Sequence, residues 1–458
     1  MQQQPALFTR IRSGWQALRS GKAELADARR RIATLLGAVL LGLVAILFAK
    51  LGDFAQSLFQ TVRADQPYVP MLLTPAAFGL FAWLTTKLSP ESRGSGIPQV
   101  IAAVQSPVRA ARGPLVSLRT AFIKFWLTLG MLLVGGSVGR EGPTVQISAA
   151  IMVWTHRLMR VRVTAGVLIA GGAAGVAAAF NTPLAGVAFA IEELASAYEQ
   201  RVTMLVMGAV MVAGMVSLGV SGDYVYFGVT HDVLGVKSVL LLAPIAGIVG
   251  GVAGGLFSLV LVAFTQQSSP LVRLLSGQRV VFAIGCGAVV AAVGLLTNGA
   301  TWGTGYAITR GMIEGHGDGG GSLFGLAKFV TTAATAISGA PGGIFAPSLS
   351  AGAGLGQMLT ALLPNEPAGA VVLLGMAGYF VGVVRAPLTA VIIIMETTAS
   401  RGMILPLFAT ALIADFVSAR VCPEKLYHAL SHAFMLPGPG GHSGVEHSGP
   451  DAAAAKVR

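Results

Sequence analysis

Charge is scarce in this sequence. Asp, Glu, Lys and Arg together make up 11% of its 458 residues, against 54% hydrophobic. A soluble domain needs about a quarter of its residues charged, so a water-facing globular fold is excluded. Cysteine is also scarce: Cys286 and Cys422 stand far apart and support neither a disulfide framework nor a metal cluster. The histidines are scattered. His428 and His432 lie at helical i, i+4 spacing but have no third ligand beside them, so they read as a solvated helix face, and no metal or cofactor is expected. No strand or acidic ribose partner accompanies the glycines at 247, 250, 251, 254 and 255, which argues against nucleotide binding and for close helix packing.

Long uncharged runs stand where charge is missing. They extend over residues 163 to 191, 202 to 222, 238 to 272, 280 to 309 and 329 to 365. At ~1.5 Å per helical residue each can cross a hydrocarbon core of ~30 Å. The chain is therefore a multi-pass, all-α membrane protein whose first partner is the lipid bilayer. Several runs are too long for one span and are cut by Gly, Pro and Asn, as at Asn181-Thr182-Pro183 and Pro341-Gly342-Gly343. Broken helices persist in a bilayer only where their freed backbone groups face protein or a water-filled cavity.

The net charge of +12 does not imply nucleic acid. Arg10, Arg12, Arg19, Lys22, Arg29, Arg30 and Arg31 precede the first apolar run, at residues 32 to 49, and fit the positive-inside rule. Residues 1 to 31 are expected to form a cytoplasmic amphipathic helix at the interface. The basic segment is too long for a signal peptide, and no small-residue cleavage site closes the apolar run.

Four anchors recur at an offset of 204 residues. Gly139-Arg140-Glu141-Gly142-Pro143 matches Gly343-Ile344-Phe345-Ala346-Pro347. Lys124-Phe125 matches Lys328-Phe329, Pro183-Leu184 matches Pro387-Leu388, and Glu192 matches Glu396. The chain is thus a duplication: repeat one over 32 to 222, a linker over 223 to 236, and repeat two over 237 to 420. A last helix follows over 421 to 435, then a disordered Gly/Pro-rich tail over 436 to 458.

Three turns share one design: Gly94-Ser95-Gly96-Ile97-Pro98, residues 139 to 143, and residues 343 to 347. Proline near the first helical position loses no N–H, and the glycines before it leave neighbouring N–H groups open to a ligand. Such helix starts attract anions without a full positive charge that would trap them. A carboxylate at Glu141 beside such a site competes with the anion when ionised and withdraws when protonated. Matched charges (Lys124 with Lys328, Glu192 with Glu396) read as scaffold. The unmatched acids Glu141, opposite Phe345, and Glu193, opposite Thr397, are the functional candidates.

From Lys87 to Tyr427 the chain resembles the CLC family of chloride channels and proton-coupled chloride transporters, on the motifs GSGIP at Gly94–Pro98, GREGP at Gly139–Pro143 and GIFAP at Gly343–Pro347. The stretch Phe180–Glu193 and the segment Glu424-Lys425-Leu426-Tyr427 are similar to the family's bacterial transporters. The resemblance implies two inverted repeats around an anion pathway, in a homodimer with one pore per subunit, in a cell membrane of the bacterial inner-membrane type. It implies a chloride held by the Ser95 and Tyr427 hydroxyls and the Ile344 and Phe345 N–H groups, with the turn residues Gly96, Ile97, Arg140 and Gly142 counted in the same site. Arg140 has a rival reading as an anchor of its loop. Glu141 would be the gate and Glu193 the internal proton-transfer group.

Ser95, rather than proline, implies chloride over nitrate, and the intact GREGP argues against the fluoride-specific branch. Gln99 departs from the acid that several bacterial relatives carry after GSGIP, and Ile101 stands where a second acid can occur. The expected function is proton-coupled chloride antiport, with a passive chloride channel of the same family as the alternative. An embedded enzyme using Glu141 and Glu193 as acid and base would lack any nucleophile, metal or cofactor cluster.

Overall fold

A computed structural model of the chain describes residues 5–194, 200–222, 225–267, 270–315, 320–360 and 365–435, with side chains from residue 24 onward except at 200–202, 271 and 274–276. The expected tail over 436 to 458, linker residues Asp223 and Tyr224, and the amphipathic face of the N-terminal segment up to residue 23 lie outside what is described. Apart from two isolated bridges, regular structure among the described residues is helical. One helix, Pro5–Asp65, joins the basic segment and the first apolar run without a break. Six helices are long and apolar enough to cross a bilayer: the Glu24–Asp65 part of this one, Pro70–Leu88, Thr203–Ser221, Val236–Gln266, Arg279–Leu296 and Arg401–Val421.

The innermost helices are shorter. Ala165–Phe180, Phe324–Ile337 and Ala368–Val384 are apolar yet fall short of 18 residues, so at ~1.5 Å per residue none spans ~30 Å alone. Their breaks are written locally and in duplicate. The helical region is disfavoured for a residue before proline, and Thr182 and Ala386 sit at φ −130° before Pro183 and Pro387. Asn181 and Arg385 turn out of the preceding helices in left-handed conformations, both at φ 58°. Each proline then opens a new short helix, Pro183–Phe189 or Pro387–Thr398.

The repeats are inverted about a pseudo-two-fold, visible in contacts that each residue makes with its own equivalent's neighbourhood. Gly139 N–H donates to Gly343 O at 2.7 Å and Gly343 N–H donates to Gly139 O at 2.8 Å, an antiparallel pair between matched positions. Glu192 accepts from Leu388 N (3.1 Å) and Thr389 N (2.7 Å). Glu396 accepts from Leu184 N (3.2 Å) and Ala185 N (2.8 Å). Each carboxylate caps the helix start of the other repeat, where N–H groups lack intrahelical partners and the dipole favours negative charge. Lys124 Nζ donates to Ser92 O (3.1 Å) and Gly94 O (2.9 Å), and Lys328 Nζ to Thr301 O (2.9 Å) and Gly303 O (2.7 Å). Fully buried lysine side chains are tolerated because backbone carbonyls accept their hydrogen bonds.

Candidate functional site

The lysine contacts expose a fourth turn. Gly94-Ser95-Gly96 before the Ile97–Gln105 helix and Gly303-Thr304-Gly305 before the Tyr306–Glu314 helix are held by Lys124 and Lys328 in the same way. Gly94 and Gly303 have φ 61° and 67°, Gly96 and Gly305 φ 109° and 81°. At Gly96 the positive φ is combined with crowding: a Cβ there would meet Gly142 O, Gln146 and Lys124. Only glycine fits.

The turns that open the Ile97–Gln105, Glu141–Leu158 and Phe345–Thr360 helices meet at the pseudo-two-fold. Besides the Gly139–Gly343 pair, Gly342 N–H donates to Gly94 O at 3.1 Å. Two successive glycines thus bond residues 342 and 343 to both repeat-one turns. Around this junction Gly96, Ile97, Gly142, Ile344 and Phe345 are buried. A Cβ on Gly142 would meet Ser95 Oγ and the Gly343 backbone, which places Ser95, Gly142 and Gly343 side by side. Helix starts pointing inward supply N–H groups with no intrahelical acceptor.

Two hydroxyls complete the cluster. Ser95 Oγ and Tyr427 OH are buried, lie against one another, and have no regular hydrogen-bond partner within the protein. Buried hydroxyls rarely stay unpaired. The comparison with Thr304, which matches Ser95, is informative, since Thr304 Oγ1 reaches Gln56 Oε1 at 3.4 Å. Scaffold symmetry places a hydroxyl in both turns and leaves only Ser95 open. Tyr427 stands on the Leu426–Ser431 helix with its ring 5.9 Å from that of Phe345. Phe345 is also ringed by Phe180, Phe189 and Phe380 at centroid distances of 6.3, 6.0 and 5.1 Å. A cavity of about 210 Å³ opens from Ser95 and is lined by Arg93, Gln99, Arg279, Ser338 and Phe434. Gln99 braces the wall, its Nε2 donating to Glu91 O and Arg93 O at 2.9 and 2.7 Å.

Glu141 is the first residue of its helix and has no exposed surface. Its Oε1 accepts from Tyr226 OH at 3.2 Å, while Oε2 lies by Gly139 and the Ala346 N–H side of the opposite turn. The Arg140 guanidinium is drawn away, with Nη1 2.6 Å from both Asp53 Oδ1 and Ala49 O on the first long helix. Its place in the cluster is therefore that of a backbone and an anchor, with a further contact over the Tyr226 ring at 5.8 Å.

Glu193 lies in a π-helical turn, Ala190–Leu194, where one extra residue widens the helix. Its side chain is 0% exposed, and Oε1 is 3.5 Å from His428 Nδ1. Thr397, its match, folds back on its own helix through Oγ1 to Ile393 O at 2.6 Å. Glu193 faces the Leu426–Ser431 helix, which also carries Tyr427. No cluster of three His, Cys, Asp or Glu occurs among the described residues.

Three features escape sequence reading. The Gly303–Gly305 turn is five residues out of the 204 register. Tyr226 lies in a segment that reads as linker, yet its backbone neighbourhood is pinned to the site by Phe227 N to Thr397 O at 2.8 Å and Thr230 N to Thr398 O at 3.3 Å. His428 reads as part of a solvated face, yet one ring nitrogen faces Glu193. A polar residue one position past a site tyrosine is the only signal that pointed there.

Known proteins share this sequence and fold. The family model described as "Voltage gated chloride channel" matches residues 76–419. The chain is 32% identical over 419 residues to an H(+)/Cl(-) exchange transporter ClcA of Yersinia pestis bv. Antiqua (strain Angola), covering 86% of this chain and 85% of the relative. The ClcA of Yersinia pseudotuberculosis serotype O:3 (strain YPIII) matches equally. Among solved structures the fold is similar to a slow cyanobacterial Cl-/H+ antiporter, with TM-score 0.74 and 24% identity over 89% of this chain and 98% of that one. A CLC-type fluoride/proton antiporter gives TM-score 0.72 and 24% identity over 88% and 97%.

Proposed function

The chain belongs to the voltage-gated chloride channel family, and from that premise we propose that it exchanges chloride for protons across a cell membrane. The observation that carries this reading is the meeting of three helix starts at two buried hydroxyls that lie against one another and make no regular hydrogen bond to the rest of the protein, Ser95 and Tyr427, with one carboxylate, Glu141, beside them. Backbone N–H groups and hydroxyls replace an anion's hydration without a full charge, so binding is strong enough to admit chloride and weak enough to release it. In this reading Ser95, Tyr427 and the Ile344 and Phe345 N–H groups hold the anion. Gly96, Ile97 and Gly142 supply close backbone, and Arg140 contributes its backbone and braces the turn. The ionised Glu141 carboxylate competes for the same donors; protonated, it releases them, so that one proton governs one anion path.

Glu193 supports exchange over passive conduction. A side chain that can carry a proton between water and the membrane interior is what coupling requires and what a passive pore does not. The proposed assembly is a homodimer with one pathway per subunit. Purified protein in liposomes, with chloride and proton fluxes followed together, tests the reading: protons should move against their own gradient when chloride drives them. Chloride flux with no proton movement would replace exchange by a passive channel. Glu193→Gln should stop proton flux while chloride flux persists; normal proton pumping in that variant would remove Glu193 from the route.

A further inference from the structure

We propose that His428 is the group that exchanges protons between water and Glu193, so that the inner end of the proton route is an imidazole–carboxylate pair. The proposal rests on the reading of Glu193 as the internal proton-transfer residue and adds the step that reading leaves open. A carboxylate with no exposed surface cannot take a proton from water directly. The His428 side chain is 46% exposed, and its Nδ1 stands 3.5 Å from Glu193 Oε1. The side chain is therefore partly exposed while its Nδ1 faces the acid.

Among the described residues no other group in the surroundings offers the same bridge. The Ile97–Gln105, Ala165–Phe180 and Pro183–Phe189 helices pack against the Ala190–Leu194 turn and carry no titratable side chain. The charged and titratable groups acting on Glu193 are His428, Lys425, Glu192 and Tyr427. Glu192 is committed to the Leu388 and Thr389 N–H groups. Tyr427 is buried beside Ser95, and a lysine or phenol exchanges protons slowly near neutral pH because its ordinary titration lies near pH ~10. Imidazole is the side chain that ordinarily titrates between pH ~5 and ~8. His432, one turn on, is exposed and has no such partner among the described residues.

The step balances as a single proton transfer. The imidazolium gives its Nδ1 proton to the ionised Glu193 Oε1, one N–H bond breaking as one O–H bond forms, and the ring becomes neutral with Nε2–H retained. Rotation of the partly exposed side chain then turns the free Nδ1 away from Glu193 to water, which protonates it and restores the cation. The same steps run backwards when Glu193 arrives protonated from the membrane. A separation of 3.5 Å closes to hydrogen-bonding distance by a small rotation of either side chain, and proton-transfer contacts are often long at rest.

The test compares His428→Gln, His428→Ala, His432→Gln and Glu193→Gln in liposomes, with proton and chloride fluxes measured across pH. Proton flux should fall roughly ten-fold or more in both His428 variants, the scale of a lost acid–base group, while chloride flux persists and His432→Gln behaves as the parent. Added free imidazole should restore proton flux to His428→Ala, where the missing side chain leaves room. Full proton flux in both His428 variants, with Glu193→Gln inactive in proton movement, would overturn the relay and leave Glu193 in place. A loss that imidazole does not restore would also overturn it, by assigning His428 a packing role. Proton pumping by Glu193→Gln would instead remove the reading on which the relay stands.

Discussion

The turn before Glu141 and the turn before Phe345 are built on the same backbone and carry opposite chemistry. Both end in a proline within the first helical turn, both begin with a glycine, and those two glycines bond to each other. Repeat one places a carboxylate and a guanidinium on this frame; repeat two places two apolar side chains. The neighbouring turns repeat the lesson, since Thr304 finds Gln56 while Ser95 remains open, and Thr397 bonds its own helix while Glu193 faces His428. Positions that match between the repeats hold the molecule together. Positions that differ hold the candidate chemistry.

That division can be broken most directly at its largest mismatch. Glu141→Gln should abolish coupled proton movement and leave chloride flux nearly independent of pH, because an amide cannot carry the proton. Phe345→Leu, at the matched position, should leave both fluxes coupled. Proton pumping that survives Glu141→Gln would eliminate Glu141 as the gate, and uncoupling by Phe345→Leu would end the asymmetry between the turns.

The matched acids should fail alike. Glu192→Ala and Glu396→Ala each remove the cap from two N–H groups at a helix start, at about 0.5–2 kcal/mol for a lost N-terminal cap. Thermal unfolding in detergent should show similar losses for the two variants. A large loss from one and none from the other would show that the reciprocal caps are unequal and the symmetry argument weak.

A smaller effect is expected at the turn with the open hydroxyl. Ser95→Pro removes a donor and should move anion preference from chloride towards nitrate, while Thr304→Val, its counterpart, should leave preference unchanged. Calorimetric binding of both anions to each variant decides this. Identical preference in Ser95→Pro and the parent would take Ser95 out of the site.

The smallest expected change is at Tyr226→Phe. Its hydroxyl donates one hydrogen bond to Glu141 Oε1, a contact of about 1.5–3 kcal/mol at most when the acceptor is charged. Freed of it, the carboxylate should leave the anion site more readily and chloride exchange at neutral pH should quicken by a few-fold. Initial efflux rates would show it, and an unchanged rate would reduce Tyr226 to packing against Phe180 and Tyr306.

Much of this arrangement was legible in the chain itself. The 204-residue register predicts paired helix breaks, and the breaks occur at Asn181 and Arg385 because proline two residues on dictates them locally. It also pairs Lys124 with Lys328 and Glu192 with Glu396, but it does not say that each glutamate crosses to the other repeat, since reciprocity is a property of packing. The Gly303–Gly305 turn was hidden by a shift of five residues. Tyr226 and His428 were illegible for a different reason: neither belongs to a repeated motif, and their significance lies in distances to Glu141 and Glu193 that only the assembled fold fixes.

The hydrogen bonds between Gly139 and Gly343 also constrain how the molecule can move. Many carriers work by rocking one half of the structure against the other around a fixed binding point. Here the two halves are riveted at that point by main-chain bonds of 2.7 and 2.8 Å, with Gly342 fastened to Gly94 alongside. Rocking would have to shear these main-chain bonds at the centre of the molecule. The stiff frame therefore leaves swinging side chains as the mobile parts, and a machine of that kind changes access by displacements the length of one glutamate.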